Sequence, residues 1–248
     1  MTATVLVTRG AGQNASLVQG LQSAGCCVKA VPIITTVPVR SREKAMAERW
    51  RSGNIDWMLV TSVNTVYYLA EWQKRHGLGI PANLKTAAVG PKTKQALEQE
   101  GFQVELMPEK YKAVSLAEAA GQVIGRRENV LLPQSAKAAD TLYRSLAARG
   151  LSLWVWHLYT TVPEEKNESF LQTILKNRGV DVLTAASPSS VEALYRLAGA
   201  YQQVLLAVPV VAIGPSTGQT ARETGFKYVY EADIHSVEGM IEKTKEII

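Results

Sequence analysis

The tetrapeptide Thr35-Thr36-Val37-Pro38 returns as Thr160-Thr161-Val162-Pro163, so position 35 recurs at position 160, an offset of 125 in a chain of 248 residues. The same offset joins Val5-Leu6 to Val130-Leu131, Asp56 to Asp181 and Val66 to Val191. It also sets Leu59-Val60-Thr61-Ser62 against Thr184-Ala185-Ala186-Ser187. Farther on it slips by one, so that Ala88-Val89-Gly90-Pro91-Lys92-Thr93 meets Ala212-Ile213-Gly214-Pro215-Ser216-Thr217 and Gly101-Phe102 meets Gly225-Phe226. Solenoid repeats have periods of roughly 20–50 residues. A longer duplication that fills the chain predicts two similar domains, with a ligand-sized cleft between them.

Within each copy the apolar residues come in short bursts separated by helical spacing. Strands are expected at 4–8 and 129–132, each followed by a helix; Leu17, Val18 and Leu21 share a face in the first, and Leu142, Leu146 and Ala147 in the second. Gly25 and Gly150 stop those helices, and strands follow at 28–34 and 153–159. After the first repeated Thr-Thr-Val-Pro segment the pattern gives helix 43–50, strand 57–61, helix 64–72, strand 86–89, helix 93–100, strand 103–107 and helix 114–124. The second copy retraces it through 181–185, 191–197, 210–213, 217–224, 228–230 and 237–247. Alternating strands and helices of these lengths specify an α/β protein with parallel sheets.

With 46% hydrophobic residues the chain can form two modest cores. It shows neither a leader-like apolar run nor about 18 uncharged apolar residues in succession, which predicts a soluble protein. Cys26 and Cys27 are adjacent and poorly placed to bridge each other; both are expected in or near the core of a cytoplasmic protein. A net charge of +5 suits an anionic partner. Lys and Arg are spread along the chain without a basic helix or zinc-ligand spacing, which argues against nucleic acid.

Gly10-Ala11-Gly12-Gln13-Asn14-Ala15 satisfies the letter of a dinucleotide-binding turn, but no Asp or Glu lies in 29–38 to hold a ribose, and the matching Gln134-Ser135-Ala136-Lys137 has no glycine. His76, His157 and His235 are scattered, no metal site is expected, and Asp56 and Asp181 precede strands. The strand-to-helix turns Thr61-Ser62-Val63-Asn64, Gly90-Pro91-Lys92-Thr93, Ser187-Pro188-Ser189-Ser190 and Gly214-Pro215-Ser216-Thr217 are more informative because they recur. Each alone reads as an ordinary N-cap. Together they place four positive helix ends at the carboxyl edges of parallel strands, where carboxylates or phosphates bind. Tyr159 closes a strand just before the linker, where its phenol either packs at a domain junction or faces the cleft.

With these motifs assembled in this order, the chain resembles the uroporphyrinogen-III synthase family from Val5-Leu6-Val7-Thr8-Arg9 to the last helix. The matching motifs are Thr61-Ser62-Val63-Asn64, Ala88 to Thr93, Tyr159-Thr160-Thr161, Ser187-Pro188-Ser189, and Ala212 to Thr217 with Gly225. Departures from the family pattern are Gly10 for a frequent proline, Pro133-Gln134 for a frequent arginine–glycine, and Ala186 for the usual threonine.

The resemblance implies two flavodoxin-like α/β domains joined by a two-stranded β-ladder. Residues 1–35 and 164–248 are expected in one domain and 39–157 in the other, with connectors at about 36–38 and 158–163; a tandem split near residue 128 is what the repeat alone suggests. It further implies cofactor-free closure of hydroxymethylbilane, a linear tetrapyrrole with eight carboxylates, to uroporphyrinogen III. Ring D is inverted and water lost, through an azafulvene cation and a spiro-pyrrolenine. Tyr159 aligns with the tyrosine assigned to departure of the hydroxyl. Arg9, Ser62, Thr93, Ser187, Ser216 and Thr217 align with substrate-binding positions, and the same turns add Asn64, Lys92 and Ser189. A monomer is expected, with no membrane or nucleic-acid partner. The reading from a different class is a two-domain binding or sensor protein that grips an anion without turning it over.

Overall fold

The computed structural model describes residues 2–10 and 14–248. The first repeat runs β1 (Thr4–Val7), α1 (Ala15–Ser23), β2 (Cys27–Ala30), β3 (Ile34–Pro38), α2 (Glu43–Arg51), β4 (Trp57–Val60), α3 (Val63–His76), β5 (Lys85–Ala88), α4 (Pro91–Gln99), β6 (Val104–Leu106) and α5 (Ala113–Val123). The second runs β7 (Asn129–Ser135), α6 (Thr141–Ala147), β8 (Ser152–Pro163), α7 (Glu168–Lys176), β9 (Val182–Ala185), α8 (Pro188–Ala198), α9 (Gln202–Leu206), β10 (Val210–Ala212), α10 (Pro215–Thr224), β11 (Val229–Glu231) and α11 (Val237–Ile247).

These elements do not fold repeat by repeat. One compact unit holds Met1–Thr35 with Thr161–Ile248, the other Thr36–Thr160, so each joins the head of one repeat to the tail of the other. In the first unit the described residues form a sheet of order β2-β1-β9-β10-β11, with every pair parallel. In the second the order is β3-β8-β7-β4-β5-β6, and the five strands from β8 to β6 are parallel. Taken in repeat coordinates, β2-β1-β9-β10-β11 and β8-β7-β4-β5-β6 are the same arrangement. It is the 2-1-3-4-5 order of doubly wound flavodoxin-like sheets.

The head–tail joint is held the same way twice. Asp181 donates its N–H to the Thr4 carbonyl (2.9 Å) and its carboxylate accepts the Thr4 N–H (2.7 Å). Asp56 repeats both bonds with Asn129, at 3.0 and 2.7 Å. The chain crosses between units on β3 and β8, which are hydrogen-bonded neighbours. Bonds from Val39 N–H to the Leu158 carbonyl and from Glu164 N–H to the Ile33 carbonyl, 2.8 Å each, show that they run antiparallel. The expected strand 28–34 is broken into β2 and β3, because Pro32 offers no N–H to a ladder; its counterpart His157 does, and β8 runs unbroken.

Central strands bury both faces, and alternate residues enter opposite cores. In β4, Met58 and Val60 face a cluster containing Trp50, Trp72 and Trp156, while Trp57 and Leu59 face Leu116, Ala120, Leu142 and Leu146. In β1, Leu6 joins Leu183 and Leu194, while Val5 and Val7 join Leu17, Leu21 and Met240. Cys26 is buried, and burial raises its thiol pKa, whereas Cys27, expected near the core, is exposed on β2 at the sheet edge. No helix among the described residues is long and apolar enough to cross a membrane.

Helix α3 is fixed to α2 by Arg75. Its guanidinium grips the Glu43 carboxylate with two bonds of 2.7 and 3.1 Å, and His76 adds a third contact at 3.3 Å. The Arg75 bonds hold the Glu43 carboxyl below the usual glutamate range. A carboxyl whose folded pKa is depressed stabilises the fold above its unfolded value, about 4.3, and that contribution disappears as pH falls through the folded value. Glu43→Gln should therefore lower Tm at neutral pH, and the gap should close as the pH is taken below about 4. Scanning calorimetry at several pH values checks this; a deficit independent of pH would mean that the charge is irrelevant.

Candidate functional site

Ligands of doubly wound sheets bind beyond the carboxyl ends of the strands, at the point where strand order reverses. In the second unit that point lies between β7 and β4, and Ser135 and Ser62 stand at their ends. Tyr159 is the register partner of Ser135 on β8. It owes its place to a bulge: Gln134 pairs with His157 but Ser135 pairs with Tyr159, leaving Leu158 as an extra residue. Such a bulge re-aims the side chains that follow it. His157 is exposed, whereas Leu158 and Tyr159 both enter the Trp72–Trp156 core, against strict strand alternation.

The phenol of Tyr159 thus reaches the start of α3. The ring is buried, 5% exposed, and its hydroxyl donates a long bond (3.4 Å) to Ser62 Oγ, which also caps α3 by accepting the Asn64 N–H at 3.1 Å. Beside it, Gly90 and Pro91 start α4. A glycine cannot cap with a side chain, so the N–H groups of Lys92 and Thr93 point past the helix end without one. Thr93 is buried and Lys92 exposed. Gly90 is extended, and what favours glycine is close approach: a Cβ there would lie 3.2 Å from the Tyr111 ring.

The first unit repeats this plan with different chemistry. Arg9 follows β1, half-buried, and Ser187 caps α8. Ser187 Oγ accepts the Ser190 N–H at 3.2 Å and contacts Ser189 Oγ at 3.1 Å, while Ser190 Oγ accepts the Ser187 N–H, closing a capping box. Gly214 and Pro215 start α10 as Gly90 and Pro91 start α4, with Ser216 exposed and Thr217 buried. The His235 ring covers Gly214 at 3.1 Å from where a Cβ would be, in the place Tyr111 takes over Gly90.

The residues singled out in the sequence therefore form two groups. Ser62, Asn64, Lys92, Thr93 and Tyr159 lie along the carboxyl edge of the second unit's sheet, and Arg9, Ser187, Ser189, Ser216 and Thr217 along that of the first. Ala11-Gly12-Gln13, the middle of the dinucleotide-like turn, lies outside the described residues. Sequence reasoning missed Tyr68, Tyr111 and His235 as neighbours of the site; for the last two, the repeat offset after Gly101 and Gly225 carried a signal. A cavity of about 520 Å³ in the first unit lies at the opposite ends of β9 and β10, lined by Arg178, Asp181 and Pro209. It gathers none of the ten residues above. Among the described residues, no cluster of His, Cys, Asp and Glu could hold a metal ion.

Residues 16–242 match the family model "Uroporphyrinogen-III synthase HemD". The chain is 27% identical to the "Porphyrin biosynthesis protein HemD" of Ruminiclostridium josui over 98% of its own length, but spans only 48% of that protein. It is 26% identical to the chloroplastic uroporphyrinogen-III synthase of Oryza sativa, covering 98% of this chain and 80% of that one. The crystal structure of uroporphyrinogen-III synthetase from Helicobacter pylori shares the fold over the full length of both chains, at TM-score 0.66 and 16% identity.

The cap and binding roles of Ser62 are separable. Ser62→Ala removes one N-cap bond and should cost about 1 kcal/mol in denaturant unfolding. Ser187→Ala should cost more, because it also opens the capping box. Equal losses at both sites would argue that Ser62 is as fully engaged in its own helix as Ser187.

Proposed function

The chain belongs to the uroporphyrinogen-III synthase family, and on that premise we propose that it closes hydroxymethylbilane to uroporphyrinogen III with inversion of ring D and loss of water. What supports a site at the carboxyl edge is the setting of Tyr159, a buried phenol brought by a bulge to a helix N-terminus at the switch point of its sheet.

The chemistry asks two things of the protein. The hydroxymethyl group must lose its hydroxyl, and the resulting cation must close at the substituted carbon of ring D before the unguided head-to-tail closure occurs. For the first, the Tyr159 phenol donates its proton to the departing oxygen, which leaves as water. Ring closure and rearrangement then release one proton from the pyrrole carbon, so no net proton is consumed. At rest the phenol proton is directed at Ser62 Oγ; as it passes to the leaving oxygen instead, the Ser62 hydroxyl turns to donate to the phenol oxygen and stabilises it as phenolate. A positioned acid of this kind contributes about 100- to 10,000-fold at most, and the electron-rich pyrrole assists on its own.

For the second task the work is positioning, where most of the barrier reduction is available. Eight carboxylates face a protein of net charge +5. The uncapped N–H groups at Lys92, Thr93, Ser216 and Thr217 sit at positive helix ends and accept carboxylates without requiring a particular side chain. Arg9 and Lys92 supply full charges at the same edges. Backbone recognition also suits a chain that shares only about a quarter of its residues with its relatives.

The test is product identity. Purified protein incubated with hydroxymethylbilane and then oxidised should give the type III porphyrin in excess of type I, and Tyr159→Phe should lower kcat by about 10- to 100-fold, or about 1.4–2.7 kcal/mol of transition-state stabilisation. Type I alone, at the spontaneous rate, would favour a binding protein that grips the tetrapyrrole without turnover.

A further inference from the structure

We propose that Tyr68 is a positioning residue for the Tyr159 phenol; this rests on the assignment of Tyr159 to hydroxyl departure. Tyr68 lies on α3, less than two turns past Ser62, so the helix whose N-cap meets the Tyr159 hydroxyl also carries a ring to its face. The two rings are stacked, with centroids 4.9 Å apart and planes 12° from parallel. The Tyr68 hydroxyl donates to Thr36 Oγ1 on β3 at 3.0 Å, which fixes the outer ring of the stack to the strand beside β8. Tyr159 is thus held at its oxygen by Ser62 and across its ring by Tyr68.

The duplication supplies an internal control. At the repeat offset, Ser62 corresponds to Ser187, Tyr159 to Ile34 and Tyr68 to Ala193. Ile34 and Ala193 pack in the same apolar cluster of the first unit, so the fold needs no more than an isoleucine and an alanine at these places. The serine is kept and the aromatic pair occurs only once. Helix capping differs too. Ser190 closes the capping box with Ser187, whereas its counterpart Thr65 is buried with an Oγ1 that has no partner among the described residues. Ser62 consequently spends one bond on its helix and one on Tyr159. Two departures from the duplicated plan, the stacked Tyr68 ring and the Ser62 contact, hold the Tyr159 phenol.

Steady-state kinetics on Tyr68→Ala, Tyr68→Leu, Tyr68→Phe, Tyr159→Phe and the Tyr68→Ala/Tyr159→Phe double variant test this, with Tm recorded for each. A displacement of about 1 Å at a reacting group can cost about 100-fold, so loss of the stacked ring should lower kcat by about tenfold with KM within about twofold. Tyr68→Phe keeps the ring and should retain at least about a third of kcat. In the Tyr159→Phe background Tyr68→Ala should cost nothing further, because a residue that acts only through the phenol has nothing left to position. Unchanged kcat in Tyr68→Ala and Tyr68→Leu, a loss confined to KM, or additive losses in the double variant would each overturn the proposal. Full activity in Tyr159→Phe would overturn the assignment of Tyr159 itself and the proposal with it. Impaired Tyr159→Phe beside intact Tyr68 variants would overturn the positioning role alone.

Discussion

Asp56 and Asp181 each make two hydrogen bonds with the first strand of the opposite repeat, one through the backbone N–H and one through the carboxylate, at Asn129 and Thr4. That joint lies between the strands where sheet order reverses, β4 against β7 and β9 against β1. Since each sheet is completed only by a partner strand from the other repeat, neither repeat can bury its own core alone, and the carboxyl edge of each unit is composed of turns from both halves of the sequence. Ser62 from the first repeat meets Tyr159 from the second in one unit; in the other, Arg9 from the first accompanies Ser187 from the second. The two strands that carry the Thr-Thr-Val-Pro segments are where the chain makes its exchanges between units.

On that duplicated frame the chemistry is unequal. Both units keep a serine-capped helix beside a glycine–proline helix start, which provides backbone donors twice over. The stacked phenols, the β8 bulge that aims Tyr159, and the open side of the Ser62 cap belong to one unit only. Symmetric donors suit the proposed substrate, a linear chain of similar pyrroles with carboxylates along its length. A single acid suits a reaction in which one hydroxyl leaves. Over the opposite glycines the covering side chain also differs, Tyr111 at Gly90 and His235 at Gly214.

Much of this was legible in sequence because it is local. Strand-to-helix turns at Ser62, Gly90, Ser187 and Gly214 are set by apolar bursts followed by capping residues, and the structure starts helices at each. The break at Pro32 was legible too, from a missing N–H, yet the apolar run 28–34 outweighed it. Helix α7 occupies the offset position of α2 and was foreshadowed only by the repeat. Three features were beyond local reading. The bulge at Leu158 depends on register with β7, the Tyr68–Tyr159 stack on how α3 crosses β8, and the placement of Tyr111 and His235 on loops that return over a neighbouring turn. Each is a tertiary contact between segments whose separate patterns are unremarked.

The proposed function has carboxylates held by backbone N–H groups at the carboxyl edge of each sheet. Amide chemical shifts of the ¹⁵N-labelled protein, followed during anaerobic titration with uroporphyrinogen III, test it directly. The amides of Lys92 and Thr93 in the second unit, and those of Ser216 and Thr217 in the first, should shift and saturate. If those four stayed fixed while shifts gathered around the cavity at Arg178, Asp181 and Pro209, the binding site would lie at the other end of the strands, and the carboxyl-edge assignment would be wrong.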